Sequence, residues 1–235
     1  ALYWAIGHTK HHSNENDGQI GVVLNCMYNR DPMCHAHINF STSGLPLELQ
    51  KKIAAKFWGD ESAVDGIKDY RPTSRAKMVR LRWCIARKEL HDMLGICSWT
   101  APWELSPLRE KGYIGDMESK VFSAVTGIKM TQDELDKAGL RAFLMQRLYT
   151  MRQLKNRDMR HVHDRYPEWI FHDAKGRKPF TKGTIVMDRA DIEKSFDLFF
   201  DVMDFDQKTG APTERCIKSY GLDWMLPALK KEGLY

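Results

Sequence analysis

Two short stretches combine residue types and spacing that suit chemistry. The hexapeptide Asp92-Met93-Leu94-Gly95-Ile96-Cys97 places a carboxylate and a thiol five residues apart across a glycine. The glycine allows a backbone to come close to a ligand, and a turn there would present Asp92 and Cys97 outward. A plain helix end with a buried cysteine is the alternative for the same six residues. The second stretch is Cys34-His35-Ala36-His37. Residues two apart share a face of an extended segment, so His35 and His37 would stand side by side. Imidazoles titrate near neutrality, so either can give or take a proton. A zinc site would need two more ligands, and the nearby His8, His11, His12 and Cys26 follow no closed-site spacing. A purely structural role for both histidines is the third reading. The five cysteines (26, 34, 84, 97 and 216) are odd in number and contain no CxxC. They give no disulfide framework, and with no leader-like start the chain reads as cytoplasmic.

The elements that must position these groups are helical. Apolar residues recur with a period near 3.6 over most of the chain, and strand-like alternation is confined to short pieces at 20–24 and 184–187. Leu45, Leu49, Ile53 and Phe57 predict a helix over 46–58 that stops at Gly59. Met78, Leu81, Ile85 and Leu90 predict a long amphipathic helix over 74–94 that stops at Gly95 and delivers the hexapeptide. Breakers crowd 100–116 and suggest a boundary between two helical domains, 1–99 and 100–235. Thr131-Gln132-Asp133-Glu134 is a capping-box sequence opening a helix to about residue 153. The tract 167–183 is a turn-rich excursion. Asp188 starts a helix whose Ile192, Phe196, Phe199, Phe200 and Met203 form a wide apolar stripe. A turn at Gly210-Ala211-Pro212-Thr213 leads to two short helices around Cys216 and Trp224. Trp99, Trp103, Trp169 and Trp224 are expected to pack in the core or between domains.

Composition narrows the class. The 235 residues are 43% hydrophobic and 29% charged, with 25 aromatic side chains, too rich for disorder. No apolar run approaches the ~20 residues of a membrane helix. Thirty-six Lys and Arg against 31 Asp and Glu leave +5, with a pI of 8.9. The basic excess is densest at 71–87 and 141–165, where acidic and aromatic residues interrupt it. Solvated helix faces explain this better than a nucleic-acid-binding stripe, which would show steep salt dependence. Arg152, Arg157, Asp158, Arg160, His161, His163 and Asp164 form a charged run. It reads as an ion-paired surface or, less simply, as the frame of an access path for an anionic substrate.

Three blocks in register resemble the carboxy-terminal part of the aldehyde ferredoxin oxidoreductase family. Asp92, Gly95, Ile96 and Cys97 match its D-x-x-G-[LI]-C motif. Thr126-Gly127, Met130 to Leu135, Gly139-Leu140-Arg141, Arg147, Arg152 and Arg157-Asp158 are similar to a second stretch, with Leu140 where the family has Glu. Phe199-Phe200, Asp204-Phe205-Asp206, Gly210-Ala211-Pro212-Thr213 and Tyr220-Gly221-Leu222 are similar to its close, with Asp204-Phe205 where the family has Gly-Trp. Residues 29–37 stand where the family has H-D-P-R-G, and these departures resemble the branch of ATP-independent benzoyl-coenzyme A reductases. The resemblance implies a mostly α fold of two helical domains and a tungsten bis-pyranopterin beside a 4Fe-4S cluster. Asp92 would contact a pterin and Cys97 would ligate the cluster, with Gly95 and Ile96 completing the cofactor-binding turn. His35 or His37 would supply the proton that accompanies electron transfer to substrate. It also implies that the remaining cluster and tungsten ligands lie in an amino-terminal part of the same subunit. A ferredoxin-like protein or subunit would be the electron partner, with no nucleic acid and no membrane span. Low-potential reduction of an aromatic acyl-coenzyme A is the expected reaction, and aldehyde oxidation to carboxylate the alternative.

Overall fold

The computed structural model describes residues 19–27, 46–65, 73–96, 116–166, 168, 171, 181–182, 185–186 and 188–235. Helices dominate these residues. A two-residue antiparallel pair, Thr181–Lys182 (β1) with Ile185–Val186 (β2), and a single bridge from Phe205 to Pro212 are the β structure among them. Among the described residues no helix is long and apolar enough to cross a membrane.

The first helix, Gln19–Met27 (α1), corrects the strand expected at 20–24. Ile20, Val22, Val23, Leu24, Cys26 and Met27 are all buried. A short, mostly apolar run of this kind carries too little periodicity to separate helix from strand. Cys26, considered above as a zinc ligand, is enclosed here, and burial pushes its thiol well above the usual range.

Leu47–Trp58 (α2) ends at Gly59, whose φ of 72° is the left-handed cap that glycine accepts at low cost. Arg75–Leu94 (α3) is opened by the Ser74 side chain, which accepts from the Lys77 N–H, and closes at Gly95 with φ 68°. Met117–Thr126 (α4) has no counterpart in the sequence reading. It is short, and its exposed Val121 and Val125 blur the amphipathic pattern. Gln132–Leu154 (α5) carries both bonds of the capping box: Thr131 accepts from the Glu134 N–H, and the Glu134 carboxylate accepts from the Thr131 N–H. The four-residue Met159–Val162 (α6) leads to Arg189–Met203 (α7), which Asp188 caps through the Asp191 N–H. Glu214–Ser219 (α8) and Leu226–Lys231 (α9) close the chain.

Residues from α1, α3, α5, α7 and the last two helices form the larger core, around Leu81, Ile85, Leu144, Leu148, Phe199, Phe200 and Met203. A smaller cluster joins α2 to α3 through Ile53, Trp58 and Cys84. Cys84 is therefore a packing residue. Trp224, expected to pack, is 56% exposed. Leu140 belongs to the larger core, which accounts for an aliphatic residue there. The seam between α3 and α5 is closest at Gly139: a Cβ there would lie 2.2 Å from the Ala86 carbonyl oxygen. Only glycine lets the two backbones touch at this point.

Candidate functional site

Helix α3 ends at the first of the two chemistry-bearing stretches. The carbonyl of His91 accepts the Ile96 N–H at 2.8 Å, and the Gly95 N–H turns back onto the last carbonyls of the helix. This closure satisfies orphan groups at the helix end and fixes the exit path of the chain. Asp92 stands in that last turn with 31% of its side chain exposed, and Lys88 Nζ holds Oδ1 at 2.5 Å. A carboxylate has about four acceptor positions. The Lys88 contact is made at one oxygen of that carboxylate.

Asp92 borders a cleft of about 580 Å³ between the end of α3 and the second half of α5. Glu89, Asp92 and Met93 form one wall, and Gln146, Tyr149, Thr150 and Gln153 face them. Gln146 donates to Glu89 at 3.0 Å. The donor set consists of carboxylates, amides and a hydroxyl beside one methionine and one phenol ring. That chemistry fits the edge of a flat heterocycle bearing amino and carbonyl groups, such as a pterin. It does not fit a metal: among the described residues no group of three or more His, Cys, Asp or Glu could hold one. Gly95 and Ile96 form the turn after α3. Cys97, His35 and His37 lie outside the described residues.

Behind Asp92 sits a charged cluster that includes Arg87, the last residue of the basic stretch expected on a solvated face. Arg87, Lys88, Glu89 and His91 are all buried. Arg87 Nη1 donates to Glu118 Oε2 at 2.8 Å, and His91 Nε2 lies 2.7 Å from Glu118 Oε1. Arg87 Nε is 2.8 Å from Asp136 Oδ1 on α5. Burial raises the Asp136 carboxyl above its usual range, and Arg87 opposes that shift. His91 Nδ1 is buried with no hydrogen-bond partner. Glu118 comes from α4, the helix that the sequence did not reveal, so no local signal announced this cluster.

A second buried cluster explains two blocks of the family resemblance. Arg147 on α5 binds Asp164 through two bonds, of 3.0 and 2.6 Å, and donates twice to the Gly210 carbonyl, at 3.0 and 2.6 Å. His163 Nδ1 lies 2.9 Å from Asp164 Oδ1. Gly210 has φ 68°, and a Cβ on it would lie 2.9 Å from Phe200 Cζ and 3.0 Å from both Arg147 Nη2 and Asp164 Oδ2. The turn is closed by the Asp206 carboxylate, which accepts from Thr209, and by Thr213, which caps α8.

Of the rest of the charged run, Arg157 stacks on the Tyr235 ring at 4.8 Å and the others form ion pairs. Arg152 meets Glu232 at 2.5 Å, Arg160 meets Asp197 at 2.5 Å and Glu193 at 2.9 Å, and His161 meets Asp158 at 2.8 Å. None of these charged side chains lines the cleft. Arg75 likewise pairs with Asp201, and Arg82 donates to the Tyr220 hydroxyl. Arg75, Arg82, Arg87, Arg147, Arg152 and Arg160, from the two basic stretches, thus have partners within the fold. The model of the family described as aldehyde ferredoxin oxidoreductase, domains 2 and 3, matches residues 11–222 of the 235. With that match over most of its length and a mostly helical architecture, the chain belongs to the aldehyde ferredoxin oxidoreductase family.

Proposed function

We propose that this chain supplies the side of a pterin-dependent oxidoreductase that grips the cofactor, with Asp92 as the contact to the heterocycle. The observation that carries this is the position of Asp92: last turn of α3, partly exposed, on a cleft lined with hydrogen-bonding groups. Asp92 accepts two N–H bonds from the amino-pyrimidinone edge while Lys88 holds the carboxylate in place. Charge-assisted bonds of this kind contribute about 1.5–3 kcal/mol each where water is excluded. Cys97, five residues on, is the proposed thiolate ligand of the 4Fe-4S cluster. His35 and His37 are the proposed proton donors to substrate. When bound, the tungsten bis-pyranopterin supplies two-electron redox chemistry and the cluster passes electrons singly to a ferredoxin-like partner.

For the substrate we propose an aromatic acyl-coenzyme A, reduced at low potential; the family description favours aldehyde oxidation as the second reading. Assays of the full subunit with both substrate classes separate the two. The test of the cofactor reading is Asp92→Asn in the full subunit, which replaces one acceptor by a donor facing another donor. Tungsten and pterin content should fall together while the far-ultraviolet helical signal is unchanged. Normal cofactor content with only a lower Tm would make Asp92 a helix-end residue. Cys97→Ala should lower iron and bleach visible absorption, whereas Cys84→Ala, in the packed interior, should do neither.

A further inference from the structure

We infer that Glu118 is a positioning residue for Asp92, acting through His91; this rests on the reading of Asp92 as a cofactor contact. Each oxygen of the Glu118 carboxylate serves a different residue of α3, one turn apart. Oε2 takes Arg87 at 2.8 Å, and Oε1 meets His91 at 2.7 Å. The three side chains are exposed by 2% or less. His91 is held at two points, because its ring meets Glu118 while its own carbonyl accepts the Ile96 N–H that ends the helix. Asp92 is the next residue. A ring fixed at this place sets the rotation of the last turn of α3, and with it the direction in which the Asp92 carboxylate leaves the helix.

The cluster as a whole joins α4 and α3 to α5, with Arg87 making the link to α5. Glu118 lies in the first turn of α4, and Arg87 extends the contact to Asp136 on α5, the helix that supplies the opposite wall. Buried ion clusters are often matched or exceeded in stability by apolar packing of equal volume, and their best-attested use is to specify one geometry. Here the cluster also tolerates a buried His91 Nδ1 with no hydrogen-bond partner. A set of aliphatic side chains would avoid that cost but would not fix the ring. The charged cluster therefore sacrifices stability for orientation, at a helix end that opens on the cleft.

The chemistry of the cluster distinguishes geometry from charge. In Glu118→Gln the amide oxygen still accepts from Arg87, and the amide N–H donates to His91 Nε2 once the histidine proton moves to Nδ1. The contacts survive without the charge. In Glu118→Asp the charge survives, but the side chain is one methylene too short to reach both partners. The test uses the full subunit, with tungsten and pterin content, the electron paramagnetic resonance spectrum of the metal and far-ultraviolet circular dichroism measured for Glu118→Ala, →Asp and →Gln.

Cofactor content should fall by about tenfold in the Ala and Asp variants, with shifted metal g-values in the fraction that remains, and should recover to at least half in the Gln variant. Helical signal should be equal in all three. Rescue by Asp and not by Gln would overturn the inference in favour of a charge effect. Unchanged content and g-values in Glu118→Ala would overturn it outright, as would a loss of cofactor that only tracks loss of helix. The underlying reading is checked in parallel by Asp92→Asn. If that variant keeps its cofactor, the reading fails and the inference falls with it. The failure is distinguishable, because exchange of the Gly95 and Ile96 amides in Glu118→Ala should still speed up by about tenfold through loss of the clamp alone.

Discussion

Two buried clusters in this molecule each join an arginine, a carboxylate and a histidine, and they differ in what surrounds them. Arg147, Asp164 and His163 sit in the carboxy-terminal half, and Arg87, Glu118 and His91 sit at the end of α3. The first is closed: the Arg147 guanidinium is shared between Asp164 and the Gly210 carbonyl, with Phe205 under its face at 5.2 Å. The glycine at its centre leaves no room for a side chain. The second keeps a buried imidazole nitrogen without a partner and adjoins an open cleft. A closed charge cluster is a structural rivet, since every polar group has been satisfied within the fold. An incompletely satisfied one beside a cleft costs stability that a purely structural role does not need.

The largest effect is expected at the rivet. Arg147→Met leaves Asp164 as a buried carboxylate without its main partner, and removing one member of a buried pair typically costs about 3–5 kcal/mol. Urea unfolding measures it, and a loss below about 1 kcal/mol would abolish the contrast between the clusters. Gly139→Ala comes next, because it forces the α3–α5 seam apart beside Arg87 and Asp136. Overpacking of this kind costs about 1–3 kcal/mol. If the seam orients the cleft, this variant should lose cofactor as well as stability, whereas Arg147→Met variants that remain folded should keep it.

The smallest effect is a pH dependence. Burial raises the Asp136 carboxyl, so the folded state holds that proton more tightly than the unfolded chain. Stability from this group is present below the unfolded value of 3.8 and is lost as pH rises through the raised folded value. Asp136→Asn should therefore flatten the fall in Tm that this group causes as the pH rises above 3.8. An identical slope in both proteins would remove Asp136 from the second cluster. At the far end of the chain, the Cys216 thiol is pushed up to about 12 by burial and should stay unlabelled by iodoacetamide at pH 8 in the native protein, as read by mass spectrometry.

The helix ends were legible because capping is local. Ser74, Thr131 and Asp188 open helices, and Gly59 and Gly95 close them, through bonds that span a few residues of chain. The apolar stripe of α7 was legible for a similar reason: one face is core and the other is solvent, so the period survives. Asp92 was legible as a residue presented at a helix end, and the family motif selected it. By contrast, Arg87 falls in the basic stretch 71–87 read as a solvated helix face, and it is buried.

The sequence by itself determined the mostly α architecture, the caps and the place of Asp92, since each follows from residue types within one or two turns of each other. Only the tertiary structure decided that α1 is a helix, that Arg87 meets Glu118 across 31 residues, and that Arg147 meets Asp164 across 17 and Gly210 across 63. Local periodicity records whether a face is polar. It does not record which distant carboxylate makes the burial of an arginine tolerable, because that partner is supplied by the packing of other helices.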